Sequence, residues 1–286
     1  MTEEKAFRYQ DLDRWPPREA LEALYEGQLR ALSALKAALP SLEAAARGAA
    51  ERLRRGGYLV YAGAGTSGRL AVADGVELWP TFSFARVRFF LAGGEKGLLS
   101  SLEGAEDRAE EGYRLGAGLD PQDVLVAVAA SGRTPYTLGV LRGAKEAGAL
   151  TIAMANNPET PLLQEAHHPI LLDTGPEVLA GSTRLGAGTA QKAALNLFST
   201  LVMLLLGRTY GNLMARMRAE NEKLRKRGAQ MVEAMAGVSE EEALRLLKVH
   251  PDPALASLVA LGLPPEEAER LLEEKGVREA LQEVRR

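Results

Sequence analysis

Five short apolar runs constrain this chain more than any other feature: "GYLVYAG" (57–63), "RVRFFLA" (86–92), "DVLVAVAA" (123–130), "LTIAMA" (150–155) and "PILLD" (169–173). Each is rich in β-branched, aromatic or alanine residues, and stretches of helical periodicity separate one from the next. Continuously apolar strands alternating with helices imply an α/β fold, a parallel five-stranded sheet sandwiched by helices. Such a sheet binds ligands at the carboxyl ends of its strands, where helix N-termini expose unpaired N–H groups. The segments to inspect are therefore "GAGTSGR" (63–69), "AGGEKG" (92–97), "ASGRTPY" (130–136) and "ANNPET" (155–160).

Outside the strands the pattern is helical. Leu21, Leu24, Leu29, Leu32, Leu35 and Leu42 recur at helical spacing with an interruption at Pro40, which predicts two N-terminal helices over 1–55 packing on a central domain at 56–227. From 228 to 286 short amphipathic segments punctuated by Pro and Gly predict a small three-helix unit, and the charged stretch from Asn212 to Gly237 reads as a long helix before it. The run "AALNLFSTLVMLLLG" (193–207) contains Asn196, Ser199 and Thr200 and falls short of the roughly 20 residues of a bilayer span, so it reads as a buried core helix.

Composition excludes several classes. With 286 residues and a net charge of −3 there is no broad basic field, so no nucleic-acid partner is expected. With no cysteine there are no disulfides and no thiolate chemistry. The charged N-terminus lacks an apolar leader, which gives a cytoplasmic expectation and no membrane partner. His167 and His168 are adjacent rather than four apart, and His250 precedes a proline, so no metal site is expected.

Gly63, Gly65 and Gly68 spell GxGxxG, yet the acidic residue that a dinucleotide-binding unit needs after the next strand is Glu95, late and beyond two glycines. Thr66 and Ser67 in this turn, with Ser131, Arg133 and Thr134 in the loop near 130–136, offer hydroxyls, amides and a guanidinium to a compact dianion. That set suits a sugar phosphate. The bland alternative for each hydroxyl is a helix N-cap.

"GAGTSGRL", "EGAED" (103–107), "AASGRTPY" (129–136), "GPEVLAGSTRL" (175–185) and "AGTAQK" (187–192) together resemble the N-acetylmuramic acid 6-phosphate etherases, members of the sugar isomerase (SIS) fold group. The resemblance runs from about Leu39 to the C-terminus. It implies cleavage of a lactyl ether to N-acetylglucosamine 6-phosphate and D-lactate, without metal or nucleotide cofactor, in a homodimer. It also implies catalytic roles for Glu77 and Glu106, as acid and base, and phosphate contacts from Ser67, Ser131, Thr134, Ser182 and Thr183, with Arg184 or Lys192 facing an anionic group.

Departures from the pattern lie at Val76, Leu78 and Trp79 around the acid, at Gly186 where the family carries lysine, and at Glu220 where it carries threonine. The lysine loss and the added glutamate lower positive charge. Two alternatives share the resemblance: a regulatory protein that binds sugar phosphates without turnover, and a sugar-phosphate isomerase.

Overall fold

The computed structural model describes residues 1–100 and 102–285. Two 3-10 turns, Phe7–Tyr9 and Leu12–Arg14, precede helices α1 (Pro17–Ser33) and α2 (Leu35–Arg54). Strands and helices then alternate: β1 (Leu59–Gly63), α3 (Gly65–Val76), α4 (Leu78–Phe82), β2 (Val87–Leu91), α5 (Gly94–Leu99), α6 (Ala109–Ala117), β3 (Val124–Val128), α7 (Pro135–Glu146), β4 (Leu150–Ala155), α8 (Pro161–Glu165) and β5 (His168–Leu171). Helices α9 (Gly186–Leu205), α10 (Glu222–Ala236), α11 (Glu240–Val249), α12 (Pro253–Ala260), α13 (Pro265–Lys275) and α14 (Val277–Val284) complete the chain.

Two compact units emerge. The first comprises Met1–Gly75 and Arg86–Ser199, the second Val76–Ala85 and Thr200–Arg286.

In the first unit all five strands pair in parallel, in the order β2-β1-β3-β4-β5, as the apolar runs predict. Alternation along each strand sends Val60, Ala62, Leu125, Ala127, Ala153 and Ala155 to the face where Leu138, Val140, Leu141 and Ala144 of α7 complete the core. Leu59, Tyr61, Val124, Val126, Ile152 and Met154 point the other way and are equally buried. Helix α2 packs on β3, β4 and β5 through a row of small and apolar residues that includes Ala45, Ala46 and Ala49.

The two N-terminal helices part at Ala34 rather than at Pro40, which lies inside α2. Proline removes an N–H that would bond the carbonyl four residues back. Here both Pro40 and Lys36 are exposed, so water can serve that carbonyl. Helix α1 buries the small residues Ala23, Gly27 and Ala31 and leaves Leu21, Tyr25, Leu29 and Leu32 in solvent.

The second unit takes in Thr200–Arg227 as well as 228–286, a boundary different from the expected division at 227/228. Two buried arginines account for this. Arg208 donates to the Phe82 and Ser83 carbonyls and to Glu273, while Arg216 pairs with Asp252 at 2.6 Å, Glu269 at 2.7 Å and Glu273 at 3.2 Å. The C-terminal part holds four helices after α10, not three; Gly276 breaks α13 from α14. The predicted long charged helix starts only at Glu222, because the Asn221 side chain accepts the Leu224 N–H and caps α10. Helix α9 is likewise not buried all round: Leu197 is 45% and Leu204 46% exposed.

Candidate functional site

Strand β1 runs into α3 through a turn that only glycine permits. A Cβ on Gly68 would lie 2.7 Å from the Gly63 carbonyl oxygen and 2.4 Å from Leu91 Cδ1, and Gly65 adopts φ +52°. The GxGxxG glycines therefore let the helix start hard against the strand. Thr66 and Ser67 enter the first turn of α3, half-buried and buried respectively.

Because Gly63 pairs with Val128 and with Leu91, the loops after β1, β2 and β3 emerge side by side. In the loop after β3, Ser131 Oγ accepts the Arg133 N–H at 3.2 Å. Thr134 stands at the N-cap of α7, yet its hydroxyl makes no cap hydrogen bond. Arg133 is exposed. A helix start without a side-chain cap, beside two hydroxyls, is a donor-rich place for an anion.

Glu106 lies in the turn before α6, and its side chain is exposed with no partner among the described residues. Its backbone is held from two directions. The Tyr136 N–H, at the start of α7, donates to the Glu106 carbonyl at 2.9 Å. Arg69 of α3 donates to the carbonyls of Gly97, Leu98 and Ser100 at 3.0, 3.1 and 3.0 Å, fixing the segment that leads to Glu106. Gly65, Arg69, Ser100, Glu103 and Glu106 line a cavity of about 350 Å³.

Ser182 and Thr183 lie in the segment before α9, both half-buried. The Thr183 carbonyl accepts the Gly188 N–H at 2.9 Å, and a Cβ on Gly188 would be 3.6 Å from Thr66 Cγ2. Thr66 and Thr183 thus each approach Gly188 in the first turn of α9, Thr66 through its methyl and Thr183 through its carbonyl. The buried Glu177 carboxylate caps that helix, accepting the Gly186 and Ala187 N–H groups at 2.9 and 2.8 Å. At Gly186 a side chain would begin 3.1 Å from Glu177 Oε2 and 3.4 Å from Ala31 Cβ, so this departure sits in a tight structural corner.

Sequence reasoning gave Arg69, Asp74, Glu177, Tyr136 and Asn196 no site role. Asp74 is buried and accepts hydrogen bonds from Tyr61 at 2.8 Å, Asn196 at 2.6 Å and Ser199 at 3.2 Å. Burial, with the negative charge of Asp74 and its hydrogen bond, pushes the Tyr61 phenol well above its ordinary range, so it stays a donor. An aspartate in an otherwise apolar helical stretch, and an asparagine four residues after a lysine, were the available signals.

Glu77 belongs to the second unit, at the N-cap position of α4, exposed and without a cap bond. Two of the departures meet in the same unit: the Arg218 guanidinium lies 4.9 Å from the Trp79 ring centroid and pairs with Glu220 at 3.2 Å. The added glutamate is therefore matched by a neighbouring cation. Arg184 is exposed, while Lys192 is half-buried. His167 Nδ1 is engaged by Thr151, and among the described residues no three His, Asp or Glu side chains group as a metal site.

The parallel order, the glycine-tight turn and the hydroxyl-bearing strand-end loops define a protein of the SIS class. The SIS domain family model matches 107–201, and that of the glucokinase regulatory protein N-terminal SIS domain matches 42–145. The C-terminal domain of a glucosamine-fructose-6-phosphate aminotransferase from Francisella tularensis shares the fold, with a TM-score of 0.51 and 20% identity over 78% of this chain and 60% of that one. The N-acetylmuramic acid 6-phosphate etherase of Deinococcus radiodurans is 48% identical over 94% of this chain and 90% of its own. That of Rubrobacter xylanophilus is 45% identical over 100% and 97%. The chain belongs to the N-acetylmuramic acid 6-phosphate etherase family.

Proposed function

We propose that this protein is a carbon–oxygen lyase that cleaves the D-lactyl ether of N-acetylmuramic acid 6-phosphate, giving N-acetylglucosamine 6-phosphate and D-lactate. Near-full-length identity of 45–48% to etherases carries the reading. Glu106 supports it locally: an unpartnered carboxylate lining a cavity, its backbone bonded to the helix that follows the Ser131–Thr134 loop.

In this reading Thr66, Ser67, Ser131, Arg133, Thr134, Ser182 and Thr183 bind the sugar phosphate. Glu106, as carboxylate, removes the C2 proton of the open-chain aldehyde; the C3–O bond breaks, and protonated Glu77 delivers a proton to the departing lactate oxygen. Water then adds at C3 of the unsaturated aldehyde and a proton returns to C2. One carboxyl group must be ionised and the other protonated at the same pH.

Because C3–O is the bond broken, reaction in H₂¹⁸O places the label at C3 of the sugar and none in lactate. Label in lactate would point to a different cleavage. The glucokinase regulatory protein match favours a second reading, sugar-phosphate binding without turnover; lactate release separates the two. We place the protein in the cytoplasm as a homodimer. No helix among the described residues is long and apolar enough to cross a membrane. Leu21, Tyr25, Leu29 and Leu32 form one exposed apolar face of α1, at 67, 62, 46 and 43% exposure, suited to a second copy.

A further inference from the structure

One cavity is lined both by the unpartnered carboxylate residue Glu106 and by a cation. The space of about 350 Å³ bounded by Gly65, Arg69, Ser100, Glu103 and Glu106 forms between the start of α3 and the segment that joins β2 to α6. Arg69 stands three residues after Thr66 on α3, so the two share a face of that helix. Its guanidinium is fixed by neutral acceptors: Nε donates to the Gly97 and Leu98 carbonyls at 3.0 and 3.1 Å, and Nη2 to the Ser100 carbonyl at 3.0 Å. Gly97 and Ser100 line the same cavity, which sets the guanidinium at its wall.

The charge of that group is left over. Arg69 is half-buried, forms no ion pair among the described residues, and donates to none of them through Nη1. A guanidinium offers more N–H donors than these carbonyls take, and it does not lose its proton in a protein. Capping the last turn of α5, which ends at Leu99, uses the donors alone. An uncompensated cation therefore shares a cavity with the carboxylate proposed as base.

The chemistry at C2 gives such a cation a use. When Glu106 takes the C2 proton, the C2–H pair forms the C1=C2 bond and the aldehyde π pair moves to the C1 oxygen. That oxygen is an enolate until the pair returns and expels the C3 oxygen, which Glu77 protonates. A fixed positive group is most effective where charge appears only during the reaction. We propose that Arg69 is a catalytic residue whose guanidinium binds the C1 oxygen and stabilises this enolate, a role that rests on the etherase reading of the site.

Two ligands that differ at C1 test it. N-acetylglucosaminate 6-phosphate carries a carboxylate there, and N-acetylglucosaminitol 6-phosphate an alcohol. Their calorimetric binding to the wild-type chain, Arg69→Gln and Arg69→Lys is compared, with thermal midpoints and the kinetics of lactate release. The wild type is expected to bind the carboxylate ligand about tenfold more tightly than the alcohol, through a charge-assisted hydrogen bond. Arg69→Gln loses that preference, while its affinity for the alcohol, which keeps the phosphate, stays within about threefold. Its kcat falls by roughly 10²–10³ with little change in KM. Arg69→Lys keeps the charge and recovers part of both losses. Arg69→Met, which keeps the apolar stem, takes the place of Arg69→Gln if that variant does not fold.

Equal weakening of both ligands in a folded variant without the charge would assign Arg69 to the phosphate and overturn the proposal. So would a preference that survives loss of the charge, or one absent from the wild type. If wild-type protein releases no lactate, the etherase reading fails, and the two ligands still decide whether Arg69 meets an oxyanion at C1.

Discussion

At the scale of single residues, function concentrates on side chains that the fold leaves unspent. Among the described residues the Glu106 side chain has no partner, whereas the buried acids Asp74, Glu177 and Asp252 each hold several donors. Replacing Glu106 by Gln keeps size and removes the proposed base; kcat is expected to fall by roughly 10²–10⁴ with the thermal midpoint unchanged, since the residue is exposed. A parallel loss of stability would mean that Glu106 serves the fold. Burial also marks two phenols: Tyr61 is raised well above its ordinary range, and Tyr136 is pushed up to about 12 by burial and by Glu111. A raised folded value means that the stabilisation is complete below the unfolded value and is lost as pH climbs through the folded one. For Tyr136 that window runs from about pH 10 to 12. In an ultraviolet titration at least two of the seven tyrosines resist ionisation at about pH 11 until the chain unfolds. Normal titration of all seven while the chain stays folded would contradict this.

At the scale of elements, the strand-end loops are coupled by a helix pair that sequence reading passed over. Helix α6 follows Glu106, and α7 follows the Ser131–Thr134 loop. Their seam is lined with glycine from both sides: a Cβ on Gly112 would lie 2.2 Å from the Tyr136 carbonyl oxygen, and one on Gly143 2.2 Å from that of Tyr113. Gly112→Ala must push α6 from the start of α7, where Tyr136 bonds Glu106, and is expected to cost about 1–3 kcal/mol and to lower kcat. Measured melts and turnover check both; a silent substitution would mean that the seam does not set the geometry of Glu106. The strands were legible because short, mainly apolar runs, here four to six residues, flanked by turn residues admit few other readings. The glycine seam was not, since glycines four apart in an amphipathic helix look like ordinary composition until the partner helix is known. Pro40 misled for a related reason: whether a helix tolerates proline depends on what its freed carbonyl faces, which is tertiary information. Leu21, Leu29 and Leu32 kept helical spacing yet face solvent, because the small residues Ala23, Gly27 and Ala31 make the close approach instead.

At the scale of the whole molecule, the two carboxyl groups proposed for catalysis belong to different units, Glu106 to the first and Glu77 to the second. The second is organised around Arg216, 2% exposed and paired with three acids. Burial alone would lower its affinity for a proton, but the charges of Asp252, Glu269 and Glu273 outweigh that and raise it. Arg216→Ala leaves those acids uncompensated and is expected to destabilise the second unit by about 3–5 kcal/mol, whereas an apolar replacement of all partners together would not. Denaturant melts followed at Trp79, which lies in this unit, provide the check. The family motifs, read in order, carried the function, and three of the departures, at Trp79, Gly186 and Glu220, have local structural counterparts. Glu220 is neutralised by Arg218 over Trp79, and Gly186 lies in a corner closed by Glu177 and Ala31.

Release of D-lactate from N-acetylmuramic acid 6-phosphate by the wild-type and Glu106→Gln proteins, both shown to be folded, tests the account most directly. Stoichiometric D-lactate and N-acetylglucosamine 6-phosphate from the wild type, with turnover all but abolished in the variant, is the predicted result. A folded wild-type protein that binds the sugar phosphate and releases no lactate, or a variant as fast as wild type, would contradict it.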